Sequence, residues 1–307
     1  MSYPTNSLLM DTIRDPILEE LVKHNPQTTA DIRTVMDNYF LSMVNISSLP
    51  DIGEYIEDVK FSQVGEEILF LDIYKPVGYG PFPILVYLHG GGFIMGNSKT
   101  YRHIGCRLAD AGYLVFSVNY RLAPEFSFPA AFEDCCMAME WLLANAQNYE
   151  GDFSRLAIAG DSAGGNLAAG VAAKFSASKL VNISALVLIY AVLQPPDMAD
   201  YEHHGPIPKM LLDAYVGSND FGSMVKDWRY NPLLKSEVMP PTCLVCGTAD
   251  PLLADARTMA EKLGSSGIEC KEAYFDDMPH GFIQMDSIFA EANEAINNII
   301  GFLNLKV

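Results

Sequence analysis

The sequence predicts an α/β protein, in which a mostly parallel sheet of eight strands carries helices on both faces. Nearly continuous apolar segments of strand length alternate with helix-like segments over most of the chain. This alternation is typical of parallel strands that are buried on both sides. The chain has 307 residues, of which 50% are hydrophobic and 19% are charged. That composition is sufficient for one large folded domain.

The first predicted elements are two helices, followed by a pair of strands. The segments "DPILEELVKH" and "TADIRTVMDNYFLSMV" space their apolar residues at a period close to that of a helix, with Thr29 or Asp31 near a helix start. From residue 55 the period becomes that of strands. We expect "EYIEDVKFSQ" and "EILFLDIYKP" to pair antiparallel across the turn "VGE".

Six further strands complete the predicted sheet, with helices between them and a last helix from about Ser287. The strand segments are "ILVYLH", "YLVFSVN", "RLAIAG", "ISALVLIYAV", "PTCLVCG" and "IECKEAYF". In such a sheet, functional residues are expected in the loops at the carboxyl ends of the strands.

Residues 195–230 interrupt this alternation. They open with two prolines, contain the helix-like "KMLLDAYVG" and separate two strands. An insertion of this length usually acts as a lid or a binding element. We therefore expect a single domain, 1–307, in which about 1–52 and 195–230 form a helical cap. The core is then formed by about 53–194 and 231–307.

The charge balance and the apolar segments disfavour several functions. Lys and Arg number 20 against 38 Asp and Glu, which gives a net charge of −18. Such a charge repels the phosphates of nucleic acids and disfavours polyanionic substrates. No apolar segment reaches the roughly 18 residues of a membrane helix. The start of the chain lacks the basic and apolar regions of a secretory signal, so we expect a cytoplasmic protein.

The six cysteines are scattered, which argues against a disulfide framework. Cys243 and Cys246 form a C-x-x-C, the spacing of some zinc and redox sites. They lie inside an apolar strand segment, however, where residues three apart point to opposite faces, and no second pair accompanies them. We interpret them as small buried hydrophobic residues and expect no metal or cofactor.

Residues 160–164 read GDSAG and offer a nucleophile. A strand that ends in G-x-S-x-G and turns sharply into a helix presents its serine on a tight elbow, where neighbouring side chains have no room. The pattern alone arises by chance in about one in ten chains of this length. Its position between the strand "RLAIA" and the helix "NLAAGVAAKF" favours Ser162 as a nucleophile.

A serine nucleophile needs a base and an orienting carboxylate, in the chain order Ser, acid, His for this architecture. His280 follows the last strand and is the predicted base, whereas His203 and His204 lie in the insertion. Asp250 directly follows the strand "TCLVC" and is the predicted acid, although it could instead be only a helix N-cap. Three other carboxylates lie nearby, and surface charge or a hydrogen bond within their own loop would explain them: Asp255, Asp276 and Asp277.

The chemistry also requires N–H donors for the oxyanion of a tetrahedral intermediate. Ala163, next to the nucleophile, is one expected donor, and the HGGG segment at 89–92 follows the third strand, where the others are expected. The alternative is a phosphate loop, because Gly91 and Gly96 bracket four residues. Lys99 lies out of register with that motif, and the acidic chain disfavours phosphate.

An ordered set of motifs resembles the hormone-sensitive-lipase-like branch of the α/β-hydrolase carboxylesterases, over roughly residues 55–305. The motifs are "HGGGF" (89–93), "NYRLAPE" (119–125), "FPAAFED" (128–134), "GDSAGGNLA" (160–168), "DPLLAD" (250–255) and "PHGF" (279–282). The resemblance implies an α/β-hydrolase fold, with Ser162 as nucleophile, His280 as base and then acid, and Asp250 as the orienting carboxylate.

The resemblance also implies the surroundings of the triad. Oxyanion donors would be the N–H groups of Gly90, Gly91 and Ala163, and His89 would brace their loop. The cap would form the substrate pocket, with walls from Phe40, Phe93, Ile94, Leu211, Tyr215 and Phe282. Relatives suggest cis peptides at Ala123–Pro124 and Phe128–Pro129, and a homodimer through the last sheet strand.

The expected activity is hydrolysis of small-molecule esters with short to medium acyl chains, through an acyl-enzyme and without a cofactor. An amidase or deacetylase and a lactonase with the same triad remain alternatives. A non-catalytic hydrolase-like receptor is a further alternative. Residues 193–196 (LQPP) depart from the small residue and aspartate that relatives often carry there, which leaves substrate preference open.

Overall fold

The protein has an eight-stranded sheet flanked by helices, which confirms the predicted fold class. The computed structural model describes residues 15–44, 48–178, 181–194 and 206–307. The strands are β1 (Glu54–Val64), β2 (Glu67–Lys75), β3 (Phe82–Leu88), β4 (Leu114–Asn119), β5 (Gly151–Asp161), β6 (Ala185–Ile189), β7 (Thr242–Gly247) and β8 (Cys270–Phe275).

The strands lie in the order β1-β2-β4-β3-β5-β6-β7-β8. β2 is antiparallel to both of its neighbours, whereas the pairs from β4 to β8 are all parallel. β1 and β2 pair antiparallel as predicted. Leu88 lies opposite Gly160, so the loops that follow β3 and β5 leave the sheet side by side. This juxtaposition brings the HGGG segment next to the GDSAG turn.

Nine α-helices lie within the described residues. They are α1 (Pro16–His24), α2 (Thr29–Met43), α3 (Arg102–Asp110), α4 (Ala130–Asn145), α5 (Ser162–Ser178), α6 (Pro206–Val216), α7 (Phe221–Met224), α8 (Leu253–Ser265) and α9 (Ala290–Lys306). Short 3₁₀ segments are Ala146–Tyr149, Pro232–Val238 and Phe282–Gln284. No helix in these described ranges is long and apolar enough to cross a membrane.

The central strands are buried on both faces of the sheet. Their successive residues point to opposite sides, and each side packs against its own group of helices. In β3, Ile84 and Val86 join one apolar cluster, with residues of α4 and α5. Leu85 and Tyr87 join the other cluster, with residues of α3 and α9. The near-continuous apolar segments of the sequence therefore reflect a layer of strands between two layers of helices.

Side-chain hydrogen bonds cap the starts of the two N-terminal helices, α1 and α2. The Asp15 carboxylate accepts hydrogen bonds from the first turn of α1. Thr28 and Asp31 form a capping box at the start of α2, which satisfies two N–H groups that would otherwise lack partners. Ile32, Met36 and Phe40 recur every four residues and form the buried side of α2. The division into cap and core remains a prediction.

Some boundaries and roles differ from those expected. The last helix begins at Ala290, three residues later than predicted. Asp250 is not the N-cap of α8, which begins only at Leu253, because the chain makes a turn first.

Both predicted cis prolyl bonds are present, and a third joins Gly80 and Pro81. All six cysteines lie in described regions and are free, including buried Cys243 and Cys246. Predicted features outside the described residues are Pro195, Pro196, His203 and His204.

Candidate active site

The GDSAG residues form a tight turn between β5 and α5. Ser162 is the first residue of α5 and has a left-handed backbone, with φ of +52°. A Cβ on Gly160 would overlap the carbonyl oxygen of Gly164, and one on Gly164 would overlap the main chain of Leu88. The two glycines are therefore required by the sharpness of the turn, which leaves the serine at the carboxyl edge of the sheet.

Three elements bring the predicted triad residues together. Ser162 follows β5, Asp250 lies three residues beyond β7, and His280 lies five residues beyond β8. The Ser162 Oγ is 2.9 Å from His280 Nε2, and His280 Nδ1 is 2.8 Å from Asp250 Oδ2. The three groups thus form one continuous hydrogen-bonded chain with the spacing that a nucleophile, a base and an orienting acid require.

The environment of His280 sets its charge and its tautomer. Because the Asp250 carboxylate can only accept, the proton lies on Nδ1 and leaves the Nε2 lone pair facing the serine hydroxyl. Burial by itself lowers the pKa of His280. The carboxylate of Asp250, with help from Asp161, more than offsets that effect and raises the pKa above 6.5. The imidazolium formed during reaction is therefore stabilised.

Asp250 and the nearby carboxylate Asp255 also make structural contacts. The second oxygen of Asp250 accepts from the N–H of Leu252, at 2.8 Å, so this residue also shapes its own loop. Asp255 accepts from the N–H groups of Leu193 and Gln194, both at 2.9 Å, and anchors the chain after β6.

The HGGG loop requires a correction to the predicted oxyanion donors. The N–H of Gly90 donates to Asp161 Oδ1 at 2.9 Å and lies 3.1 Å from the Tyr101 hydroxyl. It is therefore not available to a substrate. Within the described parts of the chain, the N–H groups of Gly91 and Gly92 have no acceptor. Both residues line the cavity beside Ser162 and have φ of +116° and +58°. Gly92 thus replaces Gly90 as a candidate donor.

His89 holds this loop from within. Its Nδ1 lies 2.8 Å from the carbonyl oxygen of Gly90, and its ring stacks on Tyr120 at 4.2 Å between centroids. Burial lowers the pKa of His89 to about 4, so the ring is neutral and Nδ1 carries the donated proton. The Gly90 carbonyl shares a rigid peptide plane with the Gly91 N–H, so fixing one aims the other.

An apolar cavity of about 150 Å³ opens onto Ser162 and His280. Helices α1, α2 and α6 supply most of its apolar wall, together with one residue of the HGGG loop region. These lining residues are Ile17, Leu21, Ile32, Met36, Phe40, Met95, Ile207 and Leu211. Leu211 also contacts the HGGG loop, because a Cβ on Gly92 would come within 2.9 Å of its side chain.

The predicted pocket residues divide into two groups. Phe40 and Leu211 line the cavity. The other four lie outside its lining. Phe93 stacks face to face on Tyr215, with ring centroids 3.7 Å apart, and Ile94 is fully buried. Phe282 is fully buried against Tyr190 and Phe275. These four residues are therefore part of the buried core and not of the cavity lining.

Two residues at the site were not singled out from the sequence. Asp161 is the variable position of the G-x-S-x-G motif, and nothing in that motif reveals which groups its side chain contacts. Tyr190, at the end of β6, places its ring edge-on to His280 at 4.8 Å and lines the cavity. Its position directly after an apolar strand was the only available signal.

Comparisons with known proteins show which family the chain is similar to. A family model described as "alpha/beta hydrolase fold" matches residues 85–284. The carboxylesterase NlhH of Mycobacterium tuberculosis is 29% identical over 304 residues, which cover 92% of each chain. The ethyl acetate hydrolase of Pseudomonas putida is 29% identical, covering 83% of this chain and 84% of that protein.

The solved structures give the same result. An esterase from the hyperthermophilic archaeon Pyrobaculum calidifontis superposes with a TM-score of 0.83 at 28% identity, covering 94% of this chain and 97% of its own. The thermostable carboxylesterase EstE1, from a metagenomic library, has a TM-score of 0.82 at 28% identity, with 90% and 97% covered. This chain therefore belongs to the α/β-hydrolase-fold family, in the hormone-sensitive-lipase-like branch of carboxylesterases that its motifs predict.

Proposed function

We propose that the protein is a serine carboxylesterase that hydrolyses small esters with short to medium acyl chains. The observation that carries this proposal is the hydrogen-bonded chain from Ser162 through His280 to Asp250. It lies beside an apolar cavity and two loop N–H groups that have no acceptor among the described residues. A nucleophile, a base and oxyanion donors are together what acyl transfer requires.

In the first half of the reaction, Ser162 Oγ attacks the ester carbonyl as His280 Nε2 accepts its proton. The carbonyl oxygen becomes an oxyanion, which the N–H groups of Gly91, Gly92 and Ala163 stabilise. Ala163 lies in the first turn of α5, where N–H groups have no intrahelical acceptor and the helix dipole favours negative charge. The tetrahedral intermediate then collapses: the C–O bond to the alcohol breaks, the imidazolium donates its proton to the departing oxygen, and an alcohol and an acyl-enzyme result.

In the second half of the reaction, a water molecule replaces the alcohol. His280 accepts a proton from the water as it attacks the acyl carbon, and the same donors hold the second oxyanion. Collapse of that intermediate returns the proton to Ser162 Oγ and releases the carboxylic acid. Asp250 keeps the imidazole in the required tautomer in both halves and stabilises its charged form.

The cavity favours neutral acyl groups of modest size. Its volume of about 150 Å³ and its aliphatic wall suit a small apolar group, since engineered apolar cavities of ~150 Å³ accept benzene. The same acyl chemistry would serve a small amide or lactone.

We also propose that the protein resides in the cytoplasm and forms a homodimer through β8. Among the described strands, β8 pairs with β7 alone, so its other edge is open to a second copy.

The test is turnover of p-nitrophenyl esters with acyl chains from acetyl to dodecanoyl, by the wild type and by Ser162→Ala. We expect turnover to be highest for the shorter chains, and kcat to fall by more than about 10⁴-fold in the variant. Hydrolysis that persists in Ser162→Ala would refute the nucleophile. A wild type that turns over no ester in the series would refute the esterase function and favour a binding protein.

A further inference from the structure

The carboxylate of Asp161 connects the nucleophile turn to the oxyanion loop. It is nearly fully buried and immediately precedes Ser162 in the chain. Its Oδ1 accepts from the N–H of Gly90 at 2.9 Å and from the hydroxyl of Tyr87 at 3.0 Å. Its Oδ2 accepts from the hydroxyl of Tyr101 at 2.8 Å. Three donors from two other segments thus converge on one side chain.

The packing at Gly90 gives independent support. A Cβ on Gly90 would overlap Asp161 Oδ2 and would come within 2.9 Å of both the Asp161 main-chain oxygen and the Tyr101 hydroxyl. The φ of Gly90 is not in the left-handed region, so its conformation does not by itself demand glycine. Residue 90 must be glycine because the Asp161 carboxylate lies directly against its α-carbon.

Peptide geometry relates this contact to the oxyanion donors. The N–H of Gly90 belongs to the peptide plane that joins it to His89, and the carbonyl of Gly90 belongs to the next plane, which contains the Gly91 N–H. Asp161 holds the first plane and the His89 ring holds the second. With both planes fixed, the direction of the Gly91 N–H is set before a substrate binds. Such preorganised donors contribute more to catalysis than mobile ones.

We propose that Asp161 is a positioning residue, which aims the oxyanion N–H groups of Gly91 and Gly92 by holding the N–H of Gly90. This inference rests on the esterase function proposed above. Burial raises the pKa of Asp161 to about 6, against the opposing effect of the hydrogen bonds from Tyr101, Tyr87 and Gly90. At pH 8, where the experiment is best done, the group is an acceptor on both oxygens.

The experiment compares Asp161→Ala with Asp161→Asn on p-nitrophenyl butyrate at pH 8. The Asn side chain keeps an acceptor oxygen for the Gly90 N–H, whereas Ala removes it. We expect kcat to fall by about 10- to 100-fold in Asp161→Ala with KM within twofold, because loss of a whole donor costs ~100- to 1,000-fold. In Asp161→Asn we expect kcat within about fivefold of the wild type.

Inhibitor affinity gives a second readout that a merely structural role would not change. A trifluoromethyl ketone adds to Ser162 and places an oxyanion at the donors, whereas the corresponding alcohol does not. In Asp161→Ala the ketone should bind more weakly by the same factor as the loss in kcat, with the affinity for the alcohol unchanged. Equal weakening of both ligands would overturn the proposal.

Asp72 offers a matched control on β2, three strands away from β5 in the sheet. It is a buried carboxylate on β2 that accepts from the N–H of Asp58 at 2.9 Å, and from the hydroxyls of Tyr55 and Ser98, both at 2.7 Å. Asp72→Ala should lower the unfolding temperature but leave kcat within about threefold. The proposal fails if Asp161→Ala retains full kcat, if Asp161→Asn loses as much as Ala, or if Asp72→Ala loses kcat equally.

Hydrogen exchange at the Gly90 amide separates failure of this inference from failure of the esterase function, because it needs no turnover. We expect the Gly90 N–H to exchange at least about tenfold faster in Asp161→Ala than in the wild type. Unchanged exchange would refute the role of Asp161. An inactive wild type with accelerated exchange in the variant would refute only the proposed reaction.

Discussion

At the residue scale, the charge of His280 decides when the site can act. Only a neutral imidazole can accept the proton of Ser162, and the pKa of His280 is raised because the carboxylates of Asp250 and Asp161 offset the effect of burial. A raised pKa means that more of the enzyme is protonated at a given pH. Activity is therefore retained above that pKa and lost as the pH falls through it.

We expect kcat/KM for p-nitrophenyl acetate to decline on the acid side with a midpoint above pH 6.5. The measurement is a pH profile from 5 to 9, with correction for any loss of folded enzyme. His89 does not contribute to this limb, because burial lowers its pKa to about 4. A rate that stayed constant from pH 5 to 8 would contradict the role of His280 as base.

The sequence allowed some residues to be predicted and not others, for a physical reason. Ser162, Asp250 and His280 could be singled out because strand ends and chain order restrict where a nucleophile, an acid and a base can lie. The choice among neighbouring glycines could not be made in that way. Whether Gly90 or Gly92 faces a substrate depends on which N–H already has a partner. That partner, Asp161, lies 71 residues away in the chain.

At the element scale, one side of α2 lines the cavity and a neighbouring side contacts the segment that follows the HGGG residues. Ile32, Met36 and Phe40 line the cavity. The residues that directly follow Ile32 and Met36, which are Arg33 and Asp37, contact the main chain after the HGGG residues. Arg33 donates to the carbonyl oxygens of Ile94 and Ala123 at 2.6 and 2.7 Å. Asp37 accepts from the N–H of Gly96 at 2.9 Å. The helix that lines the cavity thus also contacts the segment that follows the HGGG residues.

We expect Arg33→Met to lower kcat on p-nitrophenyl butyrate by about 5- to 20-fold, because the Ile94 carbonyl of the loop and the Ala123 carbonyl beside it each lose a charge-assisted contact. The free energy of unfolding should fall by about 1.5–3 kcal/mol, the range for hydrogen bonds to charged groups. Both effects are measurable by steady-state kinetics and by denaturant unfolding.

Glu125 provides the control for this prediction. Its carboxylate pairs with the Arg33 guanidinium at 2.7 Å but is more than half exposed. Glu125→Gln removes the ion pair and leaves both carbonyl contacts, so we expect a cost below about 1 kcal/mol and little change in kcat. If Glu125→Gln proved as damaging as Arg33→Met, the carbonyl contacts would not be what positions the loop.

The elements themselves could largely be predicted, whereas their placement could not. Apolar spacing identified α1 and α2 as helices, and the strand segments of the sheet were recognised from continuous apolar residues. The same spacing does not reveal what an apolar side packs against. In α2 it covers the cavity beside the triad, whereas Phe93 and Tyr215, predicted as pocket walls, stack on each other outside the cavity lining.

At the scale of the whole molecule, the net charge of −18 is the dominant property outside the site. A field of this sign lowers the local concentration of anionic substrates and raises that of cationic ones. Salt screens it, since the Debye length falls from ≈ 30 Å at 0.01 M to ≈ 10 Å at 0.1 M. The field therefore acts on association with the substrate, and not on the chemical step.

We expect three esters of similar acyl size to respond differently to added salt. Between 10 and 500 mM NaCl, kcat/KM should rise by about 3- to 10-fold for an anionic ester such as p-nitrophenyl hemisuccinate. It should fall for a choline ester and stay nearly constant for p-nitrophenyl butyrate. The apolar wall penalises any charged acyl group at every ionic strength, so the salt-dependent part isolates the long-range field. A change of the same sign for all three esters would instead indicate a general effect of salt on the enzyme.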